Sequence, residues 1–160
     1  MRFEHLVQIN AFDSPGLPWL TREQVWRGLA LRAYDPVHFI LGLEACTIRG
    51  HQRHDDREIL DRTLHFGNLE VQDTVTLLPL QETRIDVAAT DQWPRSSAIA
   101  RIEEPEPQAL FVRFIYEWDA AGANEQEMPE EIRRAREQAY LAADLDTVKR
   151  IRELADQPLS

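Results

Sequence analysis

One cysteine, Cys46, and one lysine, Lys149, stand in a chain of 160 residues. A single cysteine excludes an internal disulfide. The scarcity of lysine beside many arginines reflects overall composition rather than arginine-specific chemistry, and it carries no functional weight. No apolar run approaches the roughly 20 residues of a membrane-spanning helix, and the opening MRFEHLVQINAF has no apolar stretch like that of a signal peptide. The expectation is a soluble, cytoplasmic protein with no membrane partner. Basic charge is also short. With 18 basic against 28 acidic residues the net charge is −10, which repels phosphate backbones and argues against nucleic acid as a partner. Phosphate loops, dinucleotide fingerprints and serine nucleophile elbows are absent as well, so no cofactor is expected.

What is present suits one domain over residues 1–160. A chain of this length buries roughly 70% of the surface it exposes when unfolded, enough for a substantial core. Phe3, His5, Val7 and Ile9 alternate with Glu4, Leu6, Gln8 and Asn10, the period of a first strand with one mostly apolar face. DSPGLP ends it. Thr21 and Gln24 then form a capping-box pattern, with Leu20 placed to staple onto Val25. The helix that follows would bury Val25, Trp26, Leu29, Ala30 and Ala33 and stop near Asp35-Pro36. From Leu43 the period changes to two through six further strands.

The tail reads as helix again, opened by Pro129 at its first position with Glu130 and Glu131 against the positive end of the helix dipole. Its apolar stripe Ile132, Ala135, Ala139, Ala142 is out of phase with Leu145, Val148, Ile151, Ala155. A break near Asp144 or Asp146 is therefore expected, with Pro158 as the final stop. EEPEPQ and AAGANEQE read as solvated loops.

Sequential hairpins make an antiparallel sheet whose buried face must be covered by helices, which is the α+β class. The segments MRFEHLVQIN, LTREQVWRGL, DPVHFILGLEACTI, LHFGNLEVQDTVTL and IEEPEPQALFVRFIYE together resemble the AtaL-like family, a group of unknown biochemical function within the START-like (SRPBCC) helix-grip superfamily. The resemblance runs from about Met1 to Trp118. It implies a sheet of about seven strands wrapped round a C-terminal helix, two short helices after strand one, and an apolar cavity between sheet and helix. The family supplies no agreed catalytic residues to carry over.

Within that frame LDRTLHFGNLEVQDTVTL poses the sharpest question. Folded about Gly67-Asn68, it sets Phe66 against Leu69, Leu64 against Val71 and Leu60 against Val75, and it places Arg62 opposite Asp73 inside the apolar stripe. Three readings of the pair stay open: a structural ion pair, a polar anchor in an apolar pocket, or a catalytic acid–base group. On the last strand Leu110, Val112, Phe114, Tyr116 and Trp118 share a face suited to the interior. His5 lies on the inward face of the first strand.

The candidate ligand-binding residues are thus Arg62, Asp73, His5, Leu64, Phe114, Tyr116 and Trp118. No metal site is expected, because His51 and His54 lie three apart on a strand and face opposite ways. Cys46 reads as a small buried hydrophobe. The leading function is binding or carrying an apolar or aromatic small molecule, an anionic group on it being the match for Arg62. Two alternatives remain, an enzyme of cyclase, dehydratase or hydrolase type using the same pocket, and an interaction module whose cavity is filled. The observation that separates them is whether His5, Asp73 or a tyrosine converges on one point of the cavity.

Overall fold

The computed structural model of the chain describes residues 1–13, 16–120 and 129–156. The expected stop at Pro158, most of the AAGANEQE loop, and Ser14-Pro15 of the first turn lie outside these. Alternating residues make β1 (Arg2–Gln8), with Val7 buried and Arg2, Glu4, Leu6 and Gln8 exposed. Thr21 opens α1 (Arg22–Tyr34) through a complete capping box: its hydroxyl accepts from the Gln24 N–H at 3.1 Å, and its own N–H donates to Gln24 Oε1 at 2.8 Å. Caps of this kind contribute about 1 kcal/mol. The helix buries Val25, Gly28, Leu29 and Ala33 and ends where Pro36 begins a single 3-10 turn, Pro36–His38. That turn stands in place of the second short helix expected there.

Six strands follow: β2 (Ala45–Arg53), β3 (Glu58–Phe66), β4 (Leu69–Leu78), β5 (Glu82–Val87), β6 (Ser96–Glu103) and β7 (Phe111–Trp118). All pairs are antiparallel, and the sheet order is β1-β7-β6-β5-β4-β3-β2. The β3–β4 hairpin keeps the register that its apolar pairs dictate, with Leu60 opposite Val75, Arg62 opposite Asp73, Leu64 opposite Val71 and Phe66 opposite Leu69. Gly67 turns the chain at φ +60°, a left-handed conformation that glycine adopts without Cβ strain. At the far edge β2 is largely exposed, and Cys46 there is only half-buried, because among the described residues no further strand covers that side.

The last helix, α2 (Glu130–Ala155), is continuous. Pro129 is its cap rather than its first residue, and its carbonyl accepts from the N–H groups of Ile132 and Arg133. The break expected at Asp144 or Asp146 does not occur. Ile132, Ala135, Ala139 and Ala142 are exposed, whereas Arg136 and Tyr140 are half-buried and Asp144, Thr147, Val148 and Ile151 are buried. Steps of three and four residues through 136, 140, 144, 148, 151 and 155 trace one helix face. The apparent change of phase arises because that face is polar and aromatic in its first half and aliphatic in its second.

The aliphatic half closes the core. Val148 and Ile151 pack with Val7, Ile9, Leu20, Val25, Leu29, Ile102, Leu110, Val112 and Phe114. Each such side chain, fully buried, contributes roughly 1.5–3 kcal/mol. Asn10, 2% exposed, ties this end together: its amide donates to the carbonyls of Leu20 and Gln108, and its oxygen accepts from the Leu20 N–H. The other half of α2 turns Arg136, Tyr140 and Asp144 to that same helix face, where Tyr140 stacks on Phe3 of β1 and Tyr116 of β7.

Candidate functional site

Three elements converge on Asp144. His5 comes from β1 and Tyr116 from β7, where His5 pairs with Phe114 and Phe3 with Tyr116, so their inward side chains are neighbours on one face. Asp144 descends from α2. His5 Nε2 lies 2.5 Å from Asp144 Oδ2, and the Tyr116 hydroxyl donates to Asp144 Oδ1. His5 Nδ1 is buried without a partner among the described residues.

Aromatic rings surround this carboxylate. The His5 ring stacks on Phe114 at 5.6 Å and on Phe3 at 5.7 Å, and Tyr116 stacks on Tyr140 at 4.0 Å. Burial pushes the Asp144 carboxyl above its ordinary value, against the hydrogen bonds from Tyr116 and His5 and the charges of His5 and Arg32, which pull it down. Burial, together with the negative charge on Asp144, pushes the Tyr116 hydroxyl far up, so it remains a proton donor. A hydroxyl and an imidazole held on one carboxylate can hand a proton along the chain or fix a ligand oxygen.

Arg32 enters from α1. Its charge acts on both Tyr116 and Asp144, and burial lowers its own pKa. An arginine nevertheless keeps its proton. Its Nε is fully buried, and among the described residues no hydrogen bond or ion pair reaches its guanidinium. Each buried donor left this way costs about 1–3 kcal/mol.

Arg62 and Asp73 form a different centre. Arg62 Nε donates to Asp73 Oδ1 at 2.9 Å and Nη2 to Oδ2 at 2.7 Å, a two-pronged contact, while Nη1 donates to the Ala33 carbonyl at 2.7 Å. Arg62 is 1% exposed and Asp73 3%. The guanidinium thus ties the last turn of α1 to the β3–β4 hairpin, and each of its three nitrogens has a protein acceptor.

A cavity of about 430 Å³ lies between the polar half of α2 and the sheet, lined by Leu69, Val71, Val87, Trp93, Trp118 and Tyr140 among others. Arg136 stands at its rim with its guanidinium 5.2 Å from the Trp118 ring. The Trp93 indole N–H is buried without a partner among the described residues. Another cleft of about 420 Å³ runs between the segment Val37–Leu43 and the outer side of α2, but Asp146, Lys149, Arg150 and Glu153 border it and it is remote from Asp144's inward face.

Of the residues singled out in the sequence, His5, Phe114 and Tyr116 meet at Asp144, Trp118 lines the cavity, and Leu64, 7% exposed, lies beside it as the cross-strand partner of Val71. Arg62 and Asp73 meet each other. Sequence reasoning missed Asp144, Arg32, Tyr140 and Trp93 as site residues. The phase change in α2 was the available signal for two of them, since an unbroken helix requires Tyr140 and Asp144 to point inward. His51, half-exposed, pairs with Glu58 on the outer strands, and among the described residues no group of His, Cys, Asp and Glu side chains is arranged to hold a metal.

A sequence model of the AtaL family, described as acetylaranotin biosynthesis cluster protein L, matches residues 7–157. The chain belongs to the AtaL family. No curated protein matches it in sequence. Among solved structures, the AtaL chain is similar to the di-domain ARO/CYC StfQ from the steffimycin biosynthetic pathway, with 8% identity and a TM-score of 0.65 over 97% of the chain. It spans 50% of that protein's length. It is also similar to the Zhui aromatase/cyclase from Streptomyces, with 16% identity and a TM-score of 0.54 over 98% of this chain and 93% of that one. Major latex-like protein 151 from Panax ginseng matches with 7% identity and a TM-score of 0.55 over 98% of both chains. At these identities the likeness is one of fold, and it places the AtaL chain among helix-grip proteins.

Proposed function

We propose that this protein binds an aromatic or otherwise apolar small molecule in the cavity between the first half of α2 and the sheet. The observation that carries the reading is the cavity itself, about 430 Å³ with Trp93, Trp118 and Tyr140 in its wall, within the roughly 300–1,000 Å³ usual for small-molecule sites. An open cavity also favours binding over the filled interaction module. N-phenyl-1-naphthylamine, a neutral aromatic dye that brightens in apolar surroundings, tests this. It should bind the wild-type protein, lose most of its signal with Val71→Trp, which fills the cavity, and keep it with Leu41→Trp in the outer cleft. Loss with Leu41→Trp alone would move the site to that cleft.

A second reading, an enzyme of cyclase, dehydratase or hydrolase type, is supported by one observation, the convergence of His5 and Tyr116 on the Asp144 carboxylate. Two structural neighbours carry aromatase/cyclase names, which fits that reading by analogy of fold. Native mass spectrometry of the wild-type protein and Asp144→Asn, each expressed in its source cell, separates the two. An enzyme should retain compounds of different mass in the two proteins, substrate in the variant and product in the wild type. A carrier should retain the same compound in both.

A further inference from the structure

Arg32 is a half-buried arginine of α1 whose Nε is buried and has no hydrogen-bond partner among the described residues. It stands one turn after Gly28, where α1 meets α2 so closely that an added Cβ would come within 2.6 Å of Ile151 Cγ1. One turn onward along α1 and two turns back along α2 bring Arg32 and Asp144 towards the same level, and the Arg32 charge is felt at Asp144 and Tyr116. Asp144 does not hydrogen-bond Arg32; its two carboxylate oxygens receive His5 and Tyr116. Asp73 is equally committed, to Arg62. The Arg32 guanidinium is left with a permanent charge, a buried Nε and no acceptor among the described residues.

A guanidinium presents planar, forked donors that match the two oxygens of a carboxylate or the delocalised charge of a phenolate. We propose that Arg32 receives the anionic oxygen of an acidic aromatic ligand whose apolar body occupies the α2 cavity. This rests on the cavity reading above and adds to it the ligand's chemical class and the residue that selects it. Tyr140, part of the cavity wall, stacks on Tyr116 at 4.0 Å, and the Arg32 charge acts on Tyr116, so the proposed route from cavity to guanidinium runs along that ring pair. Tyr116 and His5 keep the Asp144 carboxylate engaged meanwhile, which limits its repulsion of the incoming anion. Arg62 remains with Asp73 and Ala33.

The test uses two dyes that share one aromatic body, N-phenyl-1-naphthylamine and its sulfonate, 8-anilinonaphthalene-1-sulfonate, titrated by fluorescence into the whole protein. The wild type should bind the sulfonate more tightly than the neutral dye. Arg32→Met should weaken the sulfonate by about 10-fold or more, the scale of a lost charged hydrogen bond, and leave the neutral dye within about twofold. Arg32→Lys should restore part of the preference. The unliganded Arg32→Met protein should melt no lower than wild type, since no protein hydrogen bond is lost. Equal binding of the two dyes by the wild type, an unchanged preference in Arg32→Met, or a marked fall in its melting temperature would each overturn the role of Arg32 while leaving the cavity reading intact. Failure of the wild type to bind either dye would overturn both.

Discussion

Arg62, fully buried, and Arg32, half-buried, both lie near the end of α1, yet their surroundings differ in kind. Arg62 has an acceptor for each of its three nitrogens, from Asp73 and the Ala33 carbonyl, and it is 1% exposed. Arg32 has a buried Nε and, among the described residues, no acceptor at all. A buried ion whose every nitrogen has a protein acceptor is a structural clamp: its desolvation has been offset inside the protein. An unsaturated one retains its capacity to bind. The comparison teaches that burial alone does not mark a ligand site, and that the state of the donors does.

The comparison breaks most visibly at the clamp. Arg62→Met or Asp73→Leu alone should destabilise by about 3–5 kcal/mol, because each strands a buried partner, whereas the double substitution should cost clearly less than the sum. Urea unfolding of the four proteins measures this, and simple additivity would show that the two residues are not coupled. Next in size is the contact that sets Arg32 in place. Gly28→Ala should destabilise by about 1–3 kcal/mol through overpacking against Ile151, and it should disturb 8-anilinonaphthalene-1-sulfonate binding more than binding of the neutral dye. Unchanged stability would mean that α1 and α2 separate at little cost.

Asp144 gives a pH-dependent effect. Burial raises its pKa above the ordinary 3.8, so the folded protein holds a proton that the unfolded chain releases. The associated stability is present below that ordinary value and is lost as pH rises through the raised one. The groups facing it are His5 on β1, Tyr116 on β7 and Arg32 on α1. Relative to Asp144→Asn, which cannot titrate, wild type should therefore lose stability as pH is raised across this window. A difference that is flat with pH would contradict the raised value. Smallest is Arg32→Met in the absence of ligand, expected within about 0.5 kcal/mol of wild type or slightly above it. A clear loss would make Arg32 a second clamp and erase the contrast.

The hairpin register, the inward faces of β1 and β7, the capping box at Thr21 and the antiparallel α+β architecture were determined by the sequence itself. Each depends on residues close together in the chain or on a strict two-residue alternation, and a slip of one position would turn a whole apolar face to solvent. The pairing of Arg62 with Asp73 belongs with these, being fixed by eleven residues of hairpin. The convergence of His5, Tyr116 and Asp144 could not be read that way. His5 and Asp144 are 139 residues apart, and nothing local to either specifies the other. The continuity of α2 was hidden for a related reason: its inward face turns from aliphatic to polar at Asp144, and apolar periodicity follows a face only while that face is apolar. Arg32 stands next to the buried position Ala33 of α1 with no local pattern that marks it. Only the close approach of α1 to α2 decided that its charge would act on Asp144 and Tyr116 while its Nε is buried with no partner among the described residues, because acceptor availability is a property of the assembled interior and not of any one segment.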